Sequence, residues 1–281
     1  MSQHYEDRLK VHLAAWKRAM LAEARDEAWT RAGPSFRDVV PSDKRHLNLL
    51  AGARAGVTAW LARQPLLRLR RDFHRLDSSQ AMALNLFWPA VATPAGRAAL
   101  AQALGCAPIA STSPLFESIP DPSCRTAFDL HLYTQDGGQL LFELRLGEHR
   151  FAETREGAAP LAGLDDVRLE RLQARVAPAW LSPEPSPARR LLLRALAELS
   201  TDADRLFLIA PQGNHALLEQ AADFAGGLAA DVRGQVVVLP METLVQRLRA
   251  AAPEGDAHWD AYYAEFLRKY AVTEAELACP A

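Results

Sequence analysis

The stretch that decides the fold runs from residue 126 to residue 146 and reads TAFDLHLYTQDGGQLLFELRL. Its two halves alternate apolar and polar residues at period two, which is typical of β-strands that bury one face. Between the halves lies Asp136-Gly137-Gly138, a sequence that favours a tight hairpin turn. The stretch therefore predicts two antiparallel strands joined by a short loop.

The even-numbered positions of this hairpin are apolar, whereas the odd-numbered positions carry its polar side chains. Because side chains alternate faces along a strand, Asp129 and Glu143 share one face, provided that the pairing avoids a one-residue slip. A three-residue loop at 136–138 meets this condition. It predicts that Asp129 lies opposite Arg145 and that His131 lies opposite Glu143.

The rest of the chain predicts helices and a βαβ unit around the hairpin. Residues 205–210 and 235–239 are typical of buried strands, and the helix predicted between them makes these strands parallel. Upstream of the hairpin the chain is typical of helices, one of which we expect Pro89 to stop. We predict an α/β fold, with a mixed sheet flanked by helices and an all-helical N-terminal extension.

The domain organisation follows from this change of pattern. We expect residues 1–105 to form a helical region packed on the core, and residues 106–281 to form the α/β core with C-terminal helices. No apolar run reaches the roughly 18 to 20 residues that cross a bilayer. The three cysteines lack the C-x-x-C spacing of a zinc site or redox pair, which favours reduced thiols in a cytoplasmic protein.

Positive charge is concentrated near the N-terminus, although the whole chain has a formal charge of -2. Residues 1–76 hold 15 Lys and Arg against 8 Asp and Glu, whereas the remainder holds 17 against 26. A solvated helix face is one explanation. The other is a set of phosphate contacts to DNA. The candidate side chains are Arg63, Arg68, Arg70, Arg71 and Arg75.

The hairpin also carries the side chains with the clearest chemical meaning. Two carboxylates on adjacent strands supply the oxygen ligands that a hard divalent cation such as Mg²⁺ prefers. A positive side chain two residues beyond the second carboxylate can neutralise charge that develops on a phosphate. A cross-strand ion pair on a solvated sheet face is the alternative explanation. The sequence contains no Walker A loop, no G-x-S-x-G elbow and no G-x-G-x-x-G after a strand.

Four motifs together carry a resemblance to a known family: Phe128-Asp129, Phe142-Glu143-Leu144-Arg145, Ser78-Ser79-Gln80 with Asn85-Leu86-Phe87, and Ala210-Pro211-Gln212-Gly213-Asn214. With these motifs the chain resembles the PD-(D/E)XK restriction-endonuclease-like superfamily. Within it, the chain more closely resembles a bacterial family of predicted restriction endonucleases.

This resemblance implies a metal-dependent endonuclease that hydrolyses phosphodiester bonds of DNA with Mg²⁺ or Mn²⁺. It implies that Asp129 and Glu143 bind the metal, and that Arg145 stands where the family has lysine. Glu117 and Gln80 are further candidates, for which a surface carboxylate and a buried structural glutamine are the alternatives. Many DNA-cutting enzymes act as dimers, but this sequence shows no heptad repeat or evident self-pairing surface, so a homodimer stays an open alternative.

Because arginine stands at the position of the family's lysine, the sequence leaves open whether the chain cleaves DNA. Lysine can lose its proton when buried, whereas arginine stays charged and presents a planar fork. The alternative is therefore a catalytically weakened or inactive nuclease fold that acts as a DNA-binding or protein-interaction module. A third reading is an α/β domain whose carboxylates only pair with arginines.

Overall fold

The structure is a computed structural model that describes residues 5–25, 27, 29–30, 35–64, 67, 69–112, 114–120, 127–151, 161, 164–181 and 186–273. Arg68, Cys124 and Cys279 lie outside the described residues. The chain forms two units, which we call the helical unit and the sheet unit. The helical unit comprises Met1–Gly105, Pro211–Gly213 and Met241–Ala281, and the sheet unit comprises Cys106–Ala210 and Asn214–Pro240.

The helices are α1 (Tyr5–Met20), α2 (Ala51–Leu61), α3 (Ser79–Ala92), α4 (Pro94–Leu104), α5 (Asp166–Arg175), α6 (Pro187–Ala197), α7 (His215–Gly226), α8 (Met241–Ala250) and α9 (Trp259–Tyr270). The strands are β1 (Trp29–Thr30), β2 (Ser35–Phe36), β3 (Leu115–Ser118), β4 (Phe128–Tyr133), β5 (Gln139–Leu144), β6 (Arg205–Ala210) and β7 (Val236–Pro240). Short 3-10 helices span Ala22–Ala24, Ser42–Asn48, Pro178–Leu181 and Arg233–Gln235.

The sheet unit is built on a five-stranded mixed sheet of order β3-β4-β5-β6-β7. Strands β3, β4 and β5 are antiparallel, whereas β5, β6 and β7 are parallel. Leu141, Leu206 and Leu208 of the sheet pack in one buried cluster with apolar side chains of α6 and α7. The mixed sheet with flanking helices, the hairpin and the parallel βαβ strands confirm the predicted fold class.

The predicted register of the β4–β5 hairpin is wrong by two residues. Leu130 pairs with Phe142, and continuing this register by one residue places Asp129 directly opposite Glu143. The loop has the predicted length of three residues, but it spans 135–137, because the Thr134 N–H donates to the Gly138 carbonyl at 2.8 Å. This two-residue shift changes which residues face each other across the hairpin, but it keeps both carboxylates on one face of the sheet.

Gly137 explains the position of this loop. Its φ of +89° lies in the left-handed region that glycine adopts at little steric cost, as the last residue of a three-residue hairpin loop often does. The Asp136 carboxylate accepts hydrogen bonds from the Thr134 hydroxyl and from the Gly138 N–H. The turn is thus closed one residue earlier than the sequence pattern predicts.

The N-terminal segment is helical, as predicted, and contains in addition the two-residue strands β1 and β2. The expectation that Pro89 stops a helix is wrong, because α3 continues through it to Ala92. Proline lacks the N–H that would bond the carbonyl four residues earlier. That carbonyl, on Asn85, instead accepts a hydrogen bond from the Tyr262 hydroxyl at 2.7 Å. None of the described helices has the length and apolar character of a membrane span.

Asp204 is a buried carboxylate that holds the start of two sheet strands. Its oxygens accept hydrogen bonds from the backbone N–H groups of Ser200 (2.6 Å), Thr201 (2.9 Å) and Gln139 (3.0 Å). Burial by itself raises the pKa of Asp204, but the hydrogen bonds to the charged form outweigh it, and the pKa is lowered. The charged carboxylate therefore stabilises the folded state.

We expect Asp204→Asn to lower the free energy of unfolding at neutral pH by about 2 to 3 kcal/mol, because an amide nitrogen cannot accept these hydrogen bonds. The pKa of Asp204 is lower in the folded protein than its unfolded value of about 3.9. Its charge therefore stabilises the fold fully above that unfolded value, and the stabilisation is lost as the pH falls through the folded pKa. Urea unfolding from neutral to acid pH should show the difference between wild type and variant shrinking on acidification. Asp202→Asn, at an exposed neighbour, is the control. A difference that does not change with pH would contradict the assignment.

Candidate functional site

Asp129 and Glu143 meet in the interior of the sheet unit. They lie on neighbouring strands at the same level of the register, where side chains directly opposite each other are about 5 Å apart at Cβ. Each side chain is only 1% exposed. The alternative of an ion pair on a solvated sheet face therefore does not hold. Two carboxylates this close in a buried place need a positive group nearby.

Arg145 supplies that positive group. Its Nη1 lies 3.4 Å from Asp129 Oδ2, and its Nη2 lies 3.2 Å from Glu143 Oε2, so one guanidinium bridges both carboxylates. The guanidinium also donates from Nε to the Phe151 carbonyl at 2.8 Å and from Nη1 to the Leu144 carbonyl at 2.6 Å. Asp129 Oδ2 accepts the Leu144 N–H at 2.7 Å. The three predicted residues are thus brought together by direct contacts.

Glu117 lies on β3, a strand that the sequence analysis did not predict. Its neighbours Phe116 and Ser118 pair with residues 130 and 128 of β4, so Glu117 stands level with Asp129. Its φ of +51° is left-handed, which is uncommon for a residue with a side chain and is found more often at functional sites. One carboxylate oxygen of Glu117 is shielded from solvent. The register therefore places three carboxylates at one level of three adjacent strands.

His131 lies two residues from Asp129 on the same face of β4. Burial lowers the pKa of His131 to about 4, so the imidazole is neutral at physiological pH. Its ring packs against Tyr133, with the ring centroids 4.5 Å apart, and its Nδ1 lies 3.4 Å from the Ser118 hydroxyl. The strand alternation predicted His131 on this face opposite Glu143, whereas the observed register pairs it with Leu141.

Helix α7 holds the loop behind Arg145 through two side chains. The Gln220 Oε1 accepts the Phe151 N–H at 2.9 Å, on the residue whose carbonyl binds the guanidinium. Asn214, the N-cap of α7, donates to the carbonyls of Leu146 (3.3 Å) and Glu148 (2.9 Å). Asn214 belongs to a motif that carries the family resemblance, whereas no sequence signal separates Gln220 from a surface glutamine.

Gln80 belongs to the helical unit, where it is buried on α3. Its Oε1 accepts the Arg70 N–H at 2.9 Å, so it fixes the backbone at Arg70. Among the arginines of that segment, Arg63, Arg70 and Arg71 are exposed. Arg75 forms a two-point ion pair with Asp77, at 2.9 and 2.7 Å. This contact leaves Arg75 less suited to bind a phosphate.

The family of the chain is decided by comparison with family models. One model, described as Restriction Endonuclease associating with ARP, matches residues 10–271. The chain belongs to this family. No curated protein and no solved structure matches it at a significant level. The predicted relationship to restriction endonucleases is thereby confirmed at the level of the family, while the PD-(D/E)XK site remains a prediction.

In this member of the restriction-endonuclease family, the carboxylate oxygens of Asp129 and Glu143 are ligands of the type that Mg²⁺ prefers. Mg²⁺ prefers oxygen ligands, usually keeps several waters and is often bound by one or two carboxylates. Among the residues that the structure describes, no three His, Cys, Asp or Glu side chains are arranged to hold a metal ion. A metal bound here would therefore use two carboxylates that Arg145 already contacts.

The strain at Glu117 gives a test that is independent of any ligand. Glu117→Gly and Glu117→Ala both remove the carboxylate, but only glycine adopts the left-handed backbone without a steric cost. We expect the glycine variant to be more stable than the alanine variant by about 1 kcal/mol in urea unfolding. Equal stability of the two variants would show that the backbone of residue 117 is not strained in the protein.

Proposed function

We propose that this chain is a metal-dependent DNA endonuclease with a PD-(D/E)XK-type site, and that Mg²⁺ or Mn²⁺ is its cofactor. One observation carries the proposal: Asp129 and Glu143 lie opposite each other on buried neighbouring strands, with Arg145 in contact with both. The membership in a family described as restriction endonucleases supports DNA as the substrate. The homodimer stays an open alternative within this proposal.

The roles follow from the chemistry of the side chains. Asp129 and Glu143 would hold the cation, which when bound supplies Lewis-acid charge and a more acidic water. Arg145 would orient the scissile phosphate and neutralise its developing charge. It stays protonated, so it cannot accept the proton of the attacking water. Glu117 is the further acidic residue, and Gln80 remains a catalytic candidate by resemblance alone.

Glu143→Gln tests the site with little change in side-chain volume. The neutral amide should weaken the metal site, and we expect plasmid cleavage with Mg²⁺ or Mn²⁺ to fall by about a hundredfold or more. Asp129→Asn should behave in the same way. Nicking and linearisation of a supercoiled plasmid measure the rate.

The matched control is Glu219→Gln, an exposed glutamate of α7 in the same unit. It should cleave at the wild-type rate, and circular dichroism should show that all variants are folded. Wild-type cleavage by the Glu143→Gln variant would remove this residue from the mechanism.

The exposed arginines of the helical unit are proposed as phosphate contacts. Replacing both Arg70 and Arg71 by glutamine should weaken DNA binding and reduce the slope of log affinity against log salt by about two, one for each lost contact. Fluorescence anisotropy of a labelled duplex at several salt concentrations measures the slope. The control pair is Arg18→Gln with Arg247→Gln, at exposed positions of the same unit. An unchanged slope in the Arg70 and Arg71 variant would argue for a merely solvated charged surface.

A second candidate function is a nuclease fold that binds DNA or a protein without cleaving. The contacts of Arg145 with both carboxylates favour it, because they satisfy the charges without a metal. The family description also names an association with ARP, which fits an interaction role. This function predicts salt-dependent DNA affinity or partner binding without cleavage, and Arg145→Lys would then be the variant that gains activity.

A further inference from the structure

One positive side chain of the protein, that of Arg145, contacts both carboxylates of the candidate site. The planar fork of Arg145 reaches Asp129 Oδ2 with Nη1 and Glu143 Oε2 with Nη2, at 3.4 and 3.2 Å. Both carboxylates have side chains that are 1% exposed, and that of Arg145 is 15% exposed. Arginine keeps its charge at all physiological pH values, so this contact does not switch off by deprotonation.

Two backbone carbonyls also hold the guanidinium in this position. The carbonyls of Phe151 and Leu144 accept hydrogen bonds from Nε and Nη1, at 2.8 and 2.6 Å. The Phe151 side chain is fully buried, and its N–H donates to Gln220 of α7. The guanidinium is therefore held by two backbone carbonyls as well as by the two carboxylates.

These contacts have a consequence for metal binding. A divalent cation and a guanidinium that bind the same carboxylate oxygens are positive charges on shared acceptors, and they repel each other strongly where water is excluded. We propose that Arg145 acts as an internal counter-ion that competes with the divalent cation for Asp129 and Glu143, so that the cation binds only when the bridge opens. This inference rests on the proposed function, because it concerns the regulation of the same site.

Arg145 differs in this respect from the lysine that the resemblance implies at its position. An ammonium is a compact single charge, whereas the guanidinium presents several N–H groups in a rigid plane. The planar guanidinium contacts both carboxylates at once, because Nη1 reaches Asp129 and Nη2 reaches Glu143. A lysine in place of Arg145 should bridge both carboxylates less well and leave them more open to a cation.

The test measures Mn²⁺ affinity by calorimetry on the full chain and does not use cleavage. Arg145→Lys should bind Mn²⁺ about tenfold or more tightly than the wild type, since the competing bridge is weakened. Arg145→Gln should unfold at a lower temperature than the wild type in chelator, because it leaves two buried carboxylates without their cation. Mn²⁺ should raise its unfolding temperature more than that of the wild type.

Two controls assign the effect to this site. Arg150→Lys, at an exposed position of the loop after β5, should leave the Mn²⁺ affinity unchanged. Glu143→Gln added to Arg145→Lys should abolish the gain. The Lys variant decides the question if the Gln variant does not fold.

The outcomes separate the two proposals. Measurable Mn²⁺ binding that is equal or weaker in Arg145→Lys than in the wild type overturns the competition and leaves the nuclease proposal standing. The absence of Mn²⁺ binding in the wild type and in both variants overturns the competition together with the metal site.

Discussion

The left-handed backbone of Gly137 sets the register of the β4–β5 hairpin, and the positions of the charged groups in the site follow from it. The loop closes between Thr134 and Gly138, which brings Asp129 level with Glu143. A change of one residue in this pairing would turn one carboxylate to the other sheet face. The chemistry of the site is therefore tied to a single tight turn several residues away.

Because Asp129 and Glu143 are buried, their negative charges must be compensated by neighbouring groups. An isolated carboxylate away from water is unstable, and two carboxylates together are more so. Arg145 and the Leu144 N–H compensate Asp129, and Arg145 also compensates Glu143. Removing one partner from such a buried pair typically costs about 3 to 5 kcal/mol. Arg145 contacts one oxygen of each carboxylate, so in the proposed metal site the guanidinium and a cation would compete for the same two side chains.

The parts of the fold that follow from local patterns were predicted well. Period-two alternation predicted the hairpin and the shared face of Asp129 and Glu143, and the runs of apolar residues at 205–210 and 235–239 predicted the parallel strands. The failed predictions have different causes: the hairpin register depends on the local backbone of Gly137, whereas the continuation of α3 depends on a contact distant in sequence. Helix α3 continues past Pro89 because Tyr262, more than 170 residues later, satisfies the carbonyl that proline leaves open. The short strand β3 has only four residues, Leu115–Ser118, and their sequence shows no clear apolar–polar alternation.

The sequence by itself indicated the α/β class, the antiparallel pairing of β4 with β5 without its register, and the three residues proposed for the site. These features depend on alternation and on turn residues, which are local properties of the chain. Only the tertiary structure decided that the carboxylates are directly opposite each other, that they are buried, and that Arg145 contacts both of them. It also decided that the Phe151 carbonyl accepts a hydrogen bond from Arg145 and that Gln220 binds the Phe151 N–H. The physical reason is that burial and charge compensation depend on neighbours brought together from separate strands, loops and helices, and no local pattern records those neighbours.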